Sequence, residues 1–315
     1  MRIARRLAAV PLLAVLALTG CSGQTSSSPS PESSPSAAEG FPVTVTDARG
    51  EVTFDTAPER IVSLSPSTTE MLFEIGAGEQ VVAADEYSNY PEEAPTTDLS
   101  GFTPSVEAIS GHEPDLVILA RDAEDAAAQL EKIHIPVLVL PAAETLDDTY
   151  AQMRLLGEVT GHAQQADEAA DEVQTRIEKV VSETEEAIGD VELSYYHELD
   201  TGMYSVTSDT FVGQVYSLFG LRNIADETED TAGGYPQLSA EFIVEQDPDL
   251  IFLSYPGGQS NIDALAERPA FDQITAVQEG DVVELDADIA SRWGPRVADF
   301  AEDVADAVVA ATAEQ

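Results

Sequence analysis

Short apolar runs alternate with amphipathic stretches over most of the chain. Runs rich in Val, Ile and Leu that are bounded by turn residues predict buried strands, and the stretches between several of them have helical spacing. Because such alternation indicates parallel sheets covered by helices on both faces, the expected fold class is α/β. The predicted strands are Val43–Val45, Val52–Phe54, Ile61–Leu64, Val81–Ala84, Leu116–Ala120, Val137–Leu140, Val191–Tyr196, Leu250–Leu253 and Val282–Leu285.

The alternation is interrupted by a long helical block between residues 144 and 188. Gly161 breaks this block, and its second part, Ala163–Ile188, predicts one helix of about 39 Å at 1.5 Å per residue. A helix of this length can connect two lobes. Strands then resume, and the chain ends in a predicted helix, Pro295–Ala311.

A repeated segment supports two similar lobes. Residues 105–119 align without a gap on residues 239–253, with Ser, Glu, Ile, Pro-Asp-Leu and a final Leu at equal spacing. Each copy predicts a short helix, a Pro-Asp turn and a buried strand. Proteins built from two facing lobes usually bind a ligand between them, so the repeat is the first indication of function.

The segment after Ile61–Leu64 predicts the first helix of an α/β unit. Ser67 and Glu70 have the spacing of a capping box, in which each side chain binds a backbone N–H of the first turn. This interpretation places the helix between Thr68 and Ile75 and ends it at Gly76.

The first forty residues predict export and a tether. Three arginines precede the apolar run Leu7–Leu18, which is too short to span a membrane, so residues 1–20 are expected to form a signal peptide. Residues 21–40 are rich in Ser and Pro and predict a disordered tether. The remaining boundaries are expected at 41–160 for the N-terminal lobe, 161–189 for the connecting helix and 190–315 for the C-terminal lobe.

The charge of the chain excludes some partners. With 59 acidic and 14 basic residues, the formal net charge is −45, which argues against nucleic acid and anionic lipid as ligands. Glycine-rich phosphate loops, a nucleophile elbow and a His-Glu-x-x-His motif do not occur in the sequence. We therefore assign no catalytic or metal-binding residue, no cofactor and no enzymatic activity. The four histidines are scattered, and only His197, at a strand end, is placed near the cleft.

Several motifs together resemble a known family. They are Ile61–Glu70, Tyr87–Pro91, the two Glu-to-Pro-Asp-Leu copies and Ser291–Arg296, and they resemble the substrate-binding proteins of the iron-complex and vitamin B12 class of ABC importers. The resemblance implies two α/β lobes joined by one long, stiff helix. It also implies a bulky ligand, such as a corrinoid, a ferric siderophore or haem. Leu18–Cys21 resembles a lipobox, which implies that Cys21 is lipid-modified.

The resemblance also assigns roles to two glutamates. In this family one glutamate on each lobe pairs with arginines of the membrane permease, and the matching residues are Glu107 and Glu241. Carboxylates in a first helical turn also favour the helix dipole, so a purely structural role is the alternative. Their equal placement in both copies favours docking.

Candidate ligand contacts lie in loops that follow strands. Aromatic rings at loop positions can stack on a large planar ligand, although any one of them could instead close the base of a lobe. A four-residue interval between an aspartate and an arginine resembles the segment that supplies both to the pocket of B12-binding members. Gly101 and Phe102 stand where those members carry a tryptophan. The predicted ligand-binding residues are Tyr87, Tyr90, Phe102, Tyr204, Tyr235, Asp288, Arg292 and Trp293.

The sequence thus predicts a monomeric receptor, anchored by Cys21 on the extracytoplasmic face of the cell membrane. It is expected to capture a corrinoid such as vitamin B12 and deliver it to an ABC permease. A ferric siderophore or haem is the alternative ligand, with Tyr204, Tyr235 or His197 as the axial residue for haem. A surface hydrolase and a structural surface protein are the alternatives from other classes.

Overall fold

The computed structural model describes residues 40–189 and 191–313. The predicted signal peptide, Cys21 and nearly all of the predicted tether lie outside the described residues.

The first lobe is built on a five-stranded parallel sheet. Its strands follow the order β5-β4-β3-β6-β7, and the antiparallel hairpin β1-β2 forms a separate pair. The central strands consist of buried apolar residues, as expected for a sheet covered on both faces. The strands are β1 (Val43–Asp47), β2 (Gly50–Phe54), β3 (Ile61–Leu64), β4 (Val81–Asp85), β5 (Thr96–Leu99), β6 (Leu116–Leu119) and β7 (Val137–Val139).

Helices of the first half of the chain cover this sheet and lead to the second lobe. Gly161, at the left-handed φ of 82°, ends the fourth helix and separates it from the 26-residue fifth helix. The helices are α1 (Pro66–Glu74), α2 (Val106–Ser110), α3 (Ala126–Lys132), α4 (Leu146–Thr160) and α5 (Ala163–Ile188).

The second lobe repeats the architecture on a smaller sheet. Its four strands are parallel and follow the order β11-β10-β8-β9. The strands are β8 (Ser194–Glu198), β9 (Arg222–Asn223), β10 (Leu250–Leu253) and β11 (Val282–Glu284). The helices are α6 (Phe211–Ser217), α7 (Ala240–Gln246), α8 (Gln259–Ala266), α9 (Thr275–Glu279), α10 (Ala287–Ser291) and α11 (Val297–Ala313).

One hydrophobic core continues through both lobes. Helix α5 packs along α4 and along α11, and the same cluster of buried side chains includes Ile61 of the first sheet and Phe252 of the second. The prediction of two α/β lobes with parallel sheets, joined by a long helix, is confirmed.

Equivalent hydrogen bonds stabilise the two copies of the repeat. Ser105 and Ser239 each cap a helix by accepting an N–H bond from the residue three positions later. The aspartate of each Pro-Asp turn binds the start of the neighbouring central strand: Asp115 accepts from the N–H groups of residues 59 and 60, and Asp249 accepts from the N–H of Ser194. The equal spacing in the two copies therefore places the same helix cap and the same aspartate contact at the start of a central strand in each lobe.

The predicted strand boundaries differ from the structure where polar residues enter the sheet. Strands β5 and β9 were not predicted, because β5 is a largely exposed edge strand with the sequence Thr-Thr-Asp-Leu and β9 has only two residues. Strand β8 runs on to Glu198, beyond the predicted end at Tyr196, since both of its last residues are buried but hydrogen-bonded.

The end of β8 holds two buried polar residues with complete sets of partners. Glu198 accepts two hydrogen bonds from Arg268, at 2.6 and 2.7 Å, and others from two tyrosine hydroxyl groups. Both ring nitrogens of His197 lie within 2.8 Å of a hydroxyl oxygen, one on Tyr216 and one on Ser254. Burial lowers the pKa of His197 from 6.5 to about 3, so the ring is neutral in the folded protein.

This shift predicts that acid destabilises the fold through His197. Below pH 6.5 the unfolded chain binds a proton at this residue, whereas the folded protein does so only near pH 3. The neutral His197 therefore stabilises the folded protein at neutral pH. As the pH is lowered from 6.5 towards 3, the free energy of unfolding falls by up to about 1.4 kcal/mol per pH unit. Denaturant unfolding of the wild type and His197→Gln at several pH values should show a shallower loss in the variant. His112→Gln is the matched control, and identical profiles for His197→Gln and wild type would contradict the prediction.

Candidate functional site

The polar segment after β3 begins helix α1 and contacts several neighbouring segments. Ser65, not Ser67, is the N-cap of α1, because its Oγ accepts the N–H of Thr68 and Pro66 occupies the first helical position. The predicted capping box is therefore wrong, and Ser67 and Glu70 are free to bind other segments. Thr69 bonds to Ser63 and to Ser88, which fixes the loop after β4.

Glu70 joins the two lobes. Its side chain is fully buried; Oε1 lies 2.7 Å from Arg292 Nη1 and 2.6 Å from Arg296 Nη2, and Oε2 accepts a third bond from Arg296 Nε. Both arginines belong to the segment between α10 and α11 of the second lobe. A buried carboxylate with two guanidinium partners is a charge-assisted contact that water does not weaken.

Further hydrogen bonds hold the same segment on the first lobe. The N–H of Trp293 donates to Ser67 Oγ, and its carbonyl oxygen accepts from Thr149 on α4. Asn89, in the loop after β4, donates to Asp288 Oδ2 at 2.7 Å. Contacts from α1, α4 and the loop after β4 therefore position one stretch of the second lobe.

Arg292 is at the centre of these contacts and is only 7% exposed. Besides Glu70, it pairs with Asp288 Oδ1 at 2.8 Å and donates to the carbonyl oxygen of Tyr87 at 2.9 Å. The structure thus pairs Asp288 with Arg292 and ties both to the loop that carries Tyr87; their contact with a ligand stays a prediction.

Asp85 lies beneath this loop. Burial raises the pKa of Asp85, while hydrogen bonds from the side chain and backbone of Ser88, and the charge of Arg292, act in the opposite direction. The cost of desolvating the charged carboxylate therefore outweighs the stabilisation that Ser88 and Arg292 give it.

Aromatic side chains lie exposed on the first lobe at the carboxyl ends of its strands. The Phe102 side chain is 60% exposed. Its ring centroid lies 6.0 Å from that of Tyr87 in an edge-on arrangement, and the guanidinium carbon of Arg121 lies 4.6 Å from the Phe102 centroid. The guanidinium carbon of Arg296 likewise lies over the Tyr90 ring, 4.3 Å from its centroid. Arg121 was not among the predicted contacts; its only sequence signal is its place immediately after the strand of the first repeat. No carboxylate of the described residues pairs with Arg121.

A cavity of about 730 Å³ lies between the lobes. Residues 141–145, which follow β7 of the first lobe, form one wall. Loops 207–214 and 231–235 of the second lobe, with Ser291 and Trp293, form the other. Of the predicted residues, Tyr235 and Trp293 line this cavity, and Tyr235 is half exposed. Tyr204 is exposed in the loop after β8 and does not line it.

His197 is unsuited to bind a ligand. It is fully buried and both ring nitrogens have partners within the lobe, so the structure removes it from the candidate axial residues for haem. Within residues 40–189 and 191–313, no three or more His, Cys, Asp or Glu side chains are grouped to hold a metal ion.

Glu107 and Glu241 occupy matching surface positions. Each is exposed in the first turn of its short helix, α2 or α7, and neither side chain has an ion-pair partner among the described residues. In that part of the chain, no helix has the length and apolar character needed to cross a membrane.

The comparison with known proteins agrees with this architecture. The family model described as periplasmic binding protein matches residues 61–289. The chain belongs to the periplasmic binding protein family. The resemblance found in the sequence motifs is thereby confirmed.

Three relatives of this binding protein are informative. An uncharacterized ABC transporter substrate-binding lipoprotein of Bacillus subtilis, YvrC, is 29% identical over 94% of both chains. A cobalamin-binding protein of Halobacterium salinarum is 30% identical over 82% of this chain and 71% of its own length. The crystal structure of the periplasmic vitamin B12 binding protein BtuF of Vibrio cholerae superposes with a TM-score of 0.66 at 26% identity, covering 81% of this chain and 98% of that one.

The Glu70 contacts predict a large effect of one substitution. Glu70→Gln should lower the free energy of unfolding by about 3 kcal/mol, because it leaves two buried guanidinium groups without their shared carboxylate. Amide hydrogen exchange of Trp293 should also accelerate, since its N–H bond to Ser67 depends on the position of this segment.

Glu79→Gln, which removes an exposed carboxylate shortly after the same helix, is the control and should change stability by less than about 0.5 kcal/mol. Denaturant unfolding measures both variants. An unchanged midpoint for Glu70→Gln would show that the contact between the lobes adds nothing to stability.

Proposed function

We propose that this binding protein captures a corrinoid between its lobes and delivers it to the permease of an ABC importer. The role is one of binding rather than catalysis. In the proposal the mature protein is attached through Cys21 to the extracytoplasmic face of the membrane and acts as a monomer.

The cavity between the lobes is the observation that carries this proposal. Its volume lies within the range of small-molecule sites, and it is open, so it can hold part of a ligand larger than itself. Tyr235 lines the cavity from the second lobe, and on the first lobe the exposed rings of Tyr87 and Phe102 contact each other edge-on. Flat rings of this kind can pack on the face and edge of a macrocycle. The relatives named as binding cobalamin or vitamin B12 favour the corrinoid within this class.

A ferric siderophore or haem is the alternative ligand, and Arg121 is the observation that favours it. This arginine has no carboxylate partner among the described residues and could pair with a carboxylate of such a ligand. The half-exposed Tyr235 could supply a phenolate oxygen to iron.

Corrinoid binding should be visible as thermal stabilisation. Cyanocobalamin at a hundred times its dissociation constant should add about 2.7 kcal/mol to the free energy of unfolding, because it binds only the folded protein. Tyr235→Ala should weaken the binding by about tenfold, a loss of the size expected for one aromatic contact.

Ile133→Ala, an exposed apolar residue at the end of α3 and outside the cavity, is the control and should bind as the wild type does. Titrations followed by differential scanning calorimetry measure both. Stabilisation by haem or a ferric siderophore, without any by cyanocobalamin, would transfer the proposal to the alternative ligand.

Glu107 and Glu241 are the proposed permease contacts. Both carboxylates project from equivalent helices and have no ion-pair partner within residues 40–189 and 191–313, so they are available to arginines on another protein. Charge pairs at such an interface would fix the orientation of docking more than its strength.

Glu107→Ala combined with Glu241→Ala should therefore abolish ligand uptake by cells while leaving the ligand affinity of the isolated protein within about twofold. The matched control, Glu158→Ala with Glu279→Ala, removes two exposed carboxylates elsewhere and should transport normally. Uptake assays with labelled ligand, paired with affinity measurements, test this role. Normal transport by the Glu107 and Glu241 variant would exclude it.

A further inference from the structure

The cavity between the lobes has an acidic lining drawn from both lobes. Glu144 enters from the first lobe and Asp209 from the second, and no lysine, arginine or histidine is among the described residues that line the cavity. Both carboxylates are exposed, and neither has an ion-pair partner among residues 40–189 and 191–313. Arg292 stands between two lining residues, Ser291 and Trp293, but its guanidinium is turned to Glu70 and Asp288. It therefore does not neutralise the lining.

Four side-chain hydrogen-bond donors of the lining are used within the protein, whereas the buried Trp293 Nε1 has no partner among the described residues. The hydroxyl groups of Thr145, Thr210 and Ser291 donate to Asp148, to the carbonyl of residue 207 and to the carbonyl of residue 287. The side-chain amide of Gln214 donates to the carbonyl oxygen of Glu144. These four groups leave mainly acceptor capacity for a ligand, and the donors that remain, Trp293 Nε1 among them, are uncharged and do not offset the two carboxylates.

The acidity of the whole chain does not by itself account for this site. A surface carboxylate faces bulk water and is screened by salt, whereas a carboxylate in a groove between two lobes acts on a ligand in a medium of lower effective dielectric. Like charges brought together there repel more strongly, and a ligand N–H group gains a charge-assisted hydrogen bond.

We propose that this cavity selects ligand groups that donate hydrogen bonds and carry no negative charge, primary amides above all, and disfavours the same ligand with carboxylates in their place. The inference rests on the proposed function and specifies the ligand chemistry of the same site. An amide and a carboxylate have nearly the same shape, so the selection operates through charge and proton donation rather than size.

Two corrinoids that differ only in these groups provide the test. Dicyanocobyrinic acid heptaamide carries primary amides, and dicyanocobyrinic acid carries carboxylic acids at the same positions. The wild type should bind the amide form tighter by at least about tenfold at neutral pH. The variant Glu144→Gln with Asp209→Asn should reduce this ratio several-fold, mainly by improving the affinity for the acid.

A control variant separates the cavity from the overall charge. Glu158→Gln with Asp272→Asn removes two exposed carboxylates outside the cavity and should keep the wild-type ratio. Equal affinity of the wild type for the two corrinoids would overturn the inference. So would a ratio that falls equally in the cavity variant and the control, because the selection would then come from net charge.

A second pair of ligands distinguishes failure of this inference from failure of the proposed function. If neither corrinoid binds, the corrinoid proposal is wrong, and haem and its dimethyl ester take their place. The acidic lining still predicts tighter binding of the ester, which lacks the two propionate charges. Tighter binding of haem itself would overturn the inference while leaving the alternative ligand in place.

Discussion

The buried carboxylate of Glu70 is the contact on which the arrangement of the lobes depends. It belongs to the first lobe, and both of its partners, Arg292 and Arg296, belong to the second. Separating the lobes here would leave three charges in a site that excludes water, which costs several kcal/mol unless water enters. The Arg292 guanidinium also holds Asp288 and the loop of Tyr87, so one carboxylate sets the positions of groups in both lobes.

This constraint bears on how the protein binds. The lobes share a hydrophobic core along α4, α5 and α11 in addition to the Glu70 contacts, and both resist a wide hinge motion. A cleft that is already formed loses less conformational entropy when a ligand arrives. It also adapts less, so discrimination between ligands depends on the chemistry of the lining rather than on how far the lobes close.

The sequence predicted those parts of the protein that repeat or alternate. The two sheets, the long helix and the family could be recognised because each rests on a local pattern or on a motif. The role of Glu70 could not, since its spacing from Ser67 satisfies a local capping rule while its partners lie 222 and 226 residues away. Arg121 was missed because nothing in sequence separates an arginine that stacks on Phe102 from one that faces solvent.

In a chain this acidic, the placement of a carboxylate tells more than its presence. Glu70 and Glu198 are buried and paired with arginines, so their charges stabilise the fold and are not available to a ligand or partner. Glu107 and Glu241 are exposed and equivalent in the two lobes, and neither is paired with another described residue, which suits a partner that touches both. Glu144 and Asp209 also have no ion-pair partner in the described part of the chain, but they line one cavity from opposite lobes, where a ligand meets their charge. The other surface acids contribute to solubility, whereas the charges of Glu107, Glu241, Glu144 and Asp209 can determine which groups of a partner or ligand approach.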